Sequence, residues 1–176
     1  MKHYTFADKL HALYTKACGL YSGGQRGAET YFTPEETAWL AANGLTPQNL
    51  YDYAEDDTGG SGPGWDKALP IESVRRDYFL NVQGGKASGK TLDETKMPAK
   101  TDAVEGITWL PRIIPKAKAK LRGELPSSLM YCCGGDRRFF QEHDINPAEF
   151  LGVVWRNEND DKAIVNWVVA RNGAKS

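Results

Sequence analysis

The feature that most constrains this chain is a repeat of itself. Shifted by one hundred residues, Leu10, Lys16, Ala17, Gly23, Tyr31 and Pro47 fall on Leu110, Lys116, Ala117, Gly123, Tyr131 and Pro147 without a gap. Six identities over about 45 positions is roughly twice what average composition gives, so identity alone decides little. The apolar phase decides more. Leu13 meets Ile113, Trp39 meets Phe139, Leu40 meets Phe140, Leu45 meets Ile145 and Leu50 meets Phe150. After a five-residue deletion, Asp66-Lys67-Ala68-Leu69 meets Asp161-Lys162-Ala163-Ile164. The pattern predicts a tandem duplication into two related units of about 70 residues, each small for an independent core. The two units are expected to pack as one all-α domain with pseudo-twofold symmetry. Ligand sites in such domains often lie between facing helices.

Local signals say where the helices begin. Thr33-Pro34-Glu35-Glu36 combines an N-cap, a proline at the first helical position and the glutamate of a capping box. Thr46-Pro47 and Asn146-Pro147 repeat the start. Phe6, Leu10, Leu13 and Ala17 recur at helical spacing, predicting a helix over 5–17. Lys67 to Val82 reads as another, with Pro70 in its first turn, where a missing N–H does no harm. In the second half helices are predicted from Leu110 to Leu121, closed by Gly123, and over 136–143, 147–155 and 160–171. Val153-Val154-Trp155 and the run Val165 to Val169 are β-prone and pull against that reading. Gly59-Gly60-Ser61-Gly62-Pro63-Gly64 can only be a loop. The Gly-, Lys- and Thr-rich stretch 84–103 reads as a flexible connector between a first unit, 1–83, and a second, 104–176.

Composition narrows the function classes. With 22 basic residues against 23 acidic, the net charge of −1 argues against a dedicated nucleic-acid binder. No apolar run reaches the ~18–20 residues that span a bilayer, so no membrane association is expected. Three cysteines, two of them adjacent, do not suit a disulfide framework, and the N-terminus has no apolar signal region. A cytoplasmic protein is the expectation.

The second half also resembles a known family. Leu110-Pro111-Arg112-Ile113-Ile114-Pro115-Lys116-Ala117-Lys118-Ala119-Lys120-Leu121-Arg122-Gly123 is similar to the segment that opens the uncharacterised bacterial DUF5069 family, which typically reads LPRxIDKxRAxLxG. Pro115 stands where the family favours Asp. The family's Tyr-x-Cys-Pro-Leu-Asp stretch resembles Tyr131-Cys132-Cys133-Gly134-Gly135-Asp136, with Gly-Gly for Pro-Leu. Its Gly-Ile-Asp-x-x-x-Phe turn resembles 144–150, and its closing Asp-x-x-Ile/Val-x-x-Trp resembles Asp161 to Trp167. The resemblance covers roughly residues 104–171 and implies a mostly helical fold, with no activity attached. The first half looks like a diverged copy.

Candidate chemistry gathers in two segments. Arg112, Lys116 and Lys120 lie at i, i+4 and i+8 on one helix face, either to bind an anion with Arg112 as a bidentate clamp or to stand in solvent. In the turn 131–136, Cys133 precedes a helix N-terminus near Arg137 and Arg138, a setting that favours a thiolate nucleophile or redox thiol. Gly134 and Gly135 leave room for close approach of a ligand to the backbone. Asp136 could assist in proton transfer, or could simply cap the helix. Tyr131, Tyr78 and Trp65 are candidate substrate contacts, with aromatic core packing as the alternative. No zinc-ligand spacing is present, so no metal is expected. Gly84 to Thr91 has the letters of a P-loop, but no strand leads in and no amphipathic helix leads out, so no nucleotide or other cofactor is expected.

These observations favour a small cofactor-independent enzyme acting on a small anionic or aromatic molecule bound between the two helical halves. Cys133 and Asp136 would be catalytic, and Arg112, Lys116, Tyr131, Tyr78 and Trp65 would bind substrate. The alternative is a non-enzymatic helical module that binds a partner protein or small ligand. A third reading, association with nucleic acid, would use the basic helix 112–122.

Overall fold

Capping chemistry and apolar phase together produce an almost wholly helical protein. A computed structural model describes residues 3–173, which divide between Lys86 and Ala87 into two compact units.

The first unit carries four helices: α1 (Phe6–Ser22), α2 (Pro34–Ala42), α3 (Pro47–Thr58) and α4 (Trp65–Asn81). The predicted capping box of α2 forms: Glu36 N–H donates to Thr33 Oγ1 at 3.2 Å, and Thr33 N–H donates to Glu36 Oε2 at 2.8 Å. Asn49 does for α3 what Glu36 does for α2, accepting from the Thr46 N–H at 2.9 Å. Helix α1 packs chiefly on α3. Leu10, Ala17, Leu40, Ala54 and Ile71 are fully enclosed, and each leucine or isoleucine so buried contributes about 1.5–3 kcal/mol. Helix α4 starts two residues earlier than expected, which places Pro70 inside the helix rather than in its first turn. A proline there removes one i→i−4 hydrogen bond, so packing of Ala68 and Ile71 carries this stretch.

The second unit opens with a feature the sequence reading did not anticipate. Strands β1 (Ala103–Val104) and β2 (Ile107–Thr108) pair antiparallel. Glu105 and Gly106 turn between them with φ of 52° and 74°, the paired left-handed geometry of a tight hairpin. Four helices follow: α5 (Leu110–Arg122), α6 (Gly134–Glu142), α7 (Pro147–Arg156) and α8 (Asp161–Gly173). Gly123 closes α5 at φ 70°, and its N–H donates back to Ala119 O and Lys120 O. Helix α5 packs chiefly on α7, through Leu110, Ile113, Ala117, Phe150 and Val154, all fully enclosed. The β-prone valines lie within α7 and α8. Burial of Val153, Val154 and Val168 outweighs their intrinsic preference. Within 84–103, the expected connector, a short 3-10 turn spans Glu94–Lys96, and Leu92 N–H donates to Glu124 O at 2.8 Å.

Two pairs of helices in the two units begin in register. Helices α2 and α6 span nine residues each and start at 34 and 134, and α3 and α7 start at 47 and 147. No helix among the described residues is long and apolar enough to cross a membrane.

Candidate functional site

The chemistry of the second unit converges where α5 and the start of α6 meet. Cys133 occupies the N-cap position of α6, so Gly134 and Gly135 form its first turn and Asp136 its third position. Asp136 is completely buried, and its carboxylate is well supplied with donors. Lys116 Nζ donates to Oδ2 at 2.8 Å, the Cys132 N–H to the same oxygen at 2.9 Å, and the Trp109 indole N–H to Oδ1 at 3.0 Å. A buried carboxylate survives only when paired and hydrogen-bonded in this way. This environment suits Asp136 to holding its neighbours in place.

Lys116 is 3% exposed and also donates to Cys133 Sγ at 3.2 Å. Of the two alternatives for this face, the solvated one is corrected: Lys116 and Lys120 are both buried. The other basic side chains of α5 are engaged within the unit. Arg112 Nη1 donates to Pro98 O at 2.7 Å, Lys118 pairs with Asp161 at 2.5 Å, and Arg122 pairs with Glu158 at 2.6 Å.

Two residues hold strained backbone around this cluster. Trp109 sits at φ 73° and Cys132 at φ 69°, left-handed conformations that cost a side-chain-bearing residue about 1–2 kcal/mol each. Cys132 is clamped on both sides, its N–H by Asp136 and its carbonyl by Arg137 Nη1 at 2.6 Å. The turn at Trp109 lays its indole on the first turn of α6. A Cβ on Gly135 would lie 2.5 Å from indole Cζ2, so only glycine fits beneath the ring. The close approach expected at Gly134-Gly135 is thus made at Gly135, and by the protein's own tryptophan.

Beside the indole lies a cavity of about 260 Å³, lined by Lys100, Trp109, Gly135, Arg138, Phe139 and Glu142. Trp109 and Phe139 supply aromatic surface, and Lys100 and Arg138 supply positive charge. Neither cation has a side-chain partner among the described residues.

Of the residues singled out from sequence, Lys116, Cys133 and Asp136 come together. Arg112 holds the 98 segment instead. Tyr131 is a core residue whose hydroxyl donates to Pro147 O at 2.8 Å, and burial pushes its ionisation far above the usual range. Tyr78 and Trp65 belong to the first unit. Tyr78 is buried there, and Trp65 packs on His11 and Tyr14 with ring centroids 4.6 and 5.3 Å apart. Lys100, Trp109, Arg138 and Phe139 were missed as a group. The glycine at the second position of α6 was the one signal of a large neighbour there. Among the described residues no group of three or more His, Cys, Asp or Glu side chains is placed to hold a metal ion.

Residues 95–176 match the family described as a domain of unknown function, DUF5069. The match begins before the predicted start of the second unit and takes in the hairpin and Lys100. No curated protein and no solved structure matches the chain.

Proposed function

We propose that the second unit, which carries the DUF5069 domain, binds a small aromatic anion in the cavity beside Trp109. The observation that carries the reading is the pairing of two aromatic walls, Trp109 and Phe139, with two cations, Lys100 and Arg138, that have no side-chain partner among the described residues. An aromatic ring gains area burial and stacking against such walls, and a carboxylate or phosphate on it meets a guanidinium in bidentate geometry. The volume of about 260 Å³ fits a molecule of one or two rings. Titration with 1-naphthoate, followed by the NMR signal of the Trp109 indole N–H, tests this directly. That signal should shift with saturation, and Arg138→Glu should weaken binding about tenfold or more. Equal binding of uncharged naphthalene, or no change at Trp109, would defeat the proposal.

A second reading, catalysis at Cys133, is favoured by one contact, that of Lys116 Nζ with Sγ. In that reading the thiol is the nucleophile and the buried Lys116–Asp136 pair positions it. A catalytic thiol would be alkylated at pH 6.5 much faster than a peptide thiol; ordinary reactivity would remove the role.

We infer as well that the first unit is a diverged copy of the second. The shared helix starts support this, and so does a second lysine–carboxylate tie at the same spacing, Lys16 to Glu36. In that alignment Lys9, Glu35, Ala38 and Ala42 stand where the second unit has Trp109, Gly135, Arg138 and Glu142. A copy with those replacements has lost the cavity's indole, its glycine and a cation. One ligand per chain is therefore the expected stoichiometry, and calorimetric titration giving two would refute the assignment.

A further inference from the structure

We propose that Cys133 is a site of reversible oxidation, at which a hydroperoxide converts the thiol to a sulfenic acid held by Lys116. The inference rests on the thiol and its lysine and does not depend on what occupies the cavity.

The chain carries its own controls, because its three cysteines sit in three different settings. Cys132 is fully buried, its backbone clamped by Asp136 and Arg137. Cys18 is partly exposed, and desolvation pushes its thiol up from the ordinary value, which disfavours the reactive thiolate. Cys133 is also partly exposed, yet a buried ammonium donates to its sulfur at 3.2 Å. That ammonium is 3% exposed and fixed by Asp136, so it cannot swing away into solvent. It stabilises negative charge on sulfur during attack and can then donate to the new oxygen. Oxidation of a cysteine requires access and is helped by a cation against the sulfur, and of the three cysteines Cys133 is the one shown with both.

The reaction balances without a cofactor. Sulfur attacks one oxygen of hydrogen peroxide, the S–O bond forms and the O–O bond breaks. The departing hydroxide leaves as water with the proton of the thiol. Sulfur loses two electrons and the peroxide gains them. Return needs two equivalents of a small thiol: the first displaces water to form a mixed disulfide, and the second releases Cys133 as the thiol.

The test uses the full chain, hydrogen peroxide and dimedone, which traps sulfenic acids, with labelled peptides quantified by mass spectrometry. Cys133 should be labelled about tenfold faster than Cys18, with no label on Cys132. Equal rates at Cys133 and Cys18, or a faster Cys18, would overturn the proposal. The double substitution Lys116→Met with Asp136→Asn removes the pair together. It should lower labelling of Cys133 to the rate of Cys18, and an unchanged rate in the folded double variant would overturn the role given to Lys116. Where that variant does not fold, the ratio of Cys133 to Cys18 in the unaltered protein decides.

Discussion

Both units tie their first helix to their second with a lysine and a carboxylate, but only one of the ties is reached by water. In the first unit Lys16 Nζ meets Glu36 Oε2 at 2.6 Å, with the side chains 36% and 24% exposed. In the second, Lys116 meets Asp136 at 2.8 Å, with exposures of 3% and 0%. Glu36 spends its carboxylate on its own helix cap, as a capping box does. Asp136, one methylene shorter, turns inward under the indole of Trp109 and accepts from Cys132 rather than from the cap residue. The same contact is therefore a surface convenience in one unit and a structural commitment in the other. A tie open to solvent can be lost cheaply, whereas a sealed one leaves a bare buried charge when either partner goes.

The sharpest way to break this comparison is to remove each lysine in turn. Lys116→Met should cost about 3–5 kcal/mol, read from urea unfolding, because Asp136 is left buried without its counter-charge. Lys16→Met should cost no more than about 1 kcal/mol. Equal losses would show that burial does not separate the two ties. Next in size is Gly135→Ala. Alanine favours a helix by up to ~1 kcal/mol over glycine, but here its Cβ meets a rigid ring, so a net loss of about 1–3 kcal/mol is expected. Glu35→Ala, at the matching place in α2, should change stability by less than about 0.5 kcal/mol.

The N-caps differ by less. Thr33 bonds the start of α2 through its hydroxyl, so Thr33→Ala should cost about 1 kcal/mol. Cys133 makes no side-chain cap bond, and Cys133→Ala should stay within about 0.5 kcal/mol. The smallest effect is one of pH. The hydrogen bond from Lys16 holds the Glu36 carboxyl below its ordinary value, despite some opposing desolvation. A group with a lowered folded pKa stabilises above its unfolded pKa of about 4.3, and that contribution fades as pH falls through the lower folded value. The loss, about 0.2–1 kcal/mol, should be missing from the acid limb of the stability profile of Lys16→Met.

Much of the helical architecture was legible because caps are local. Thr33, Thr46 and Asn146 announce helices within four residues, and each forms the cap its sequence promises. The cluster at Asp136 was only half legible. Cys133, Lys116 and Asp136 could be singled out by type, but not their burial. An i, i+4, i+8 row of basic residues on α5 looks like a solvated face, and what buries Lys116 is a carboxylate twenty positions along the chain. Trp109 was harder still. Its indole reaches α6 because the backbone turns left-handed after a two-residue hairpin turn, and neither that conformation nor strands of two residues each leave an alternating pattern long enough to read.

The clamp on Cys132 links two processes that are usually separate. Its N–H is held by the same carboxylate oxygen that receives the Lys116 ammonium. That peptide group can exchange its hydrogen with solvent only when Asp136 lets go. The start of α6 therefore has no private, low-energy way to fray: opening it breaks up the buried cluster around Asp136 and frees a strained backbone in one event. Hydrogen exchange at a single amide then reports the integrity of the whole buried charge cluster.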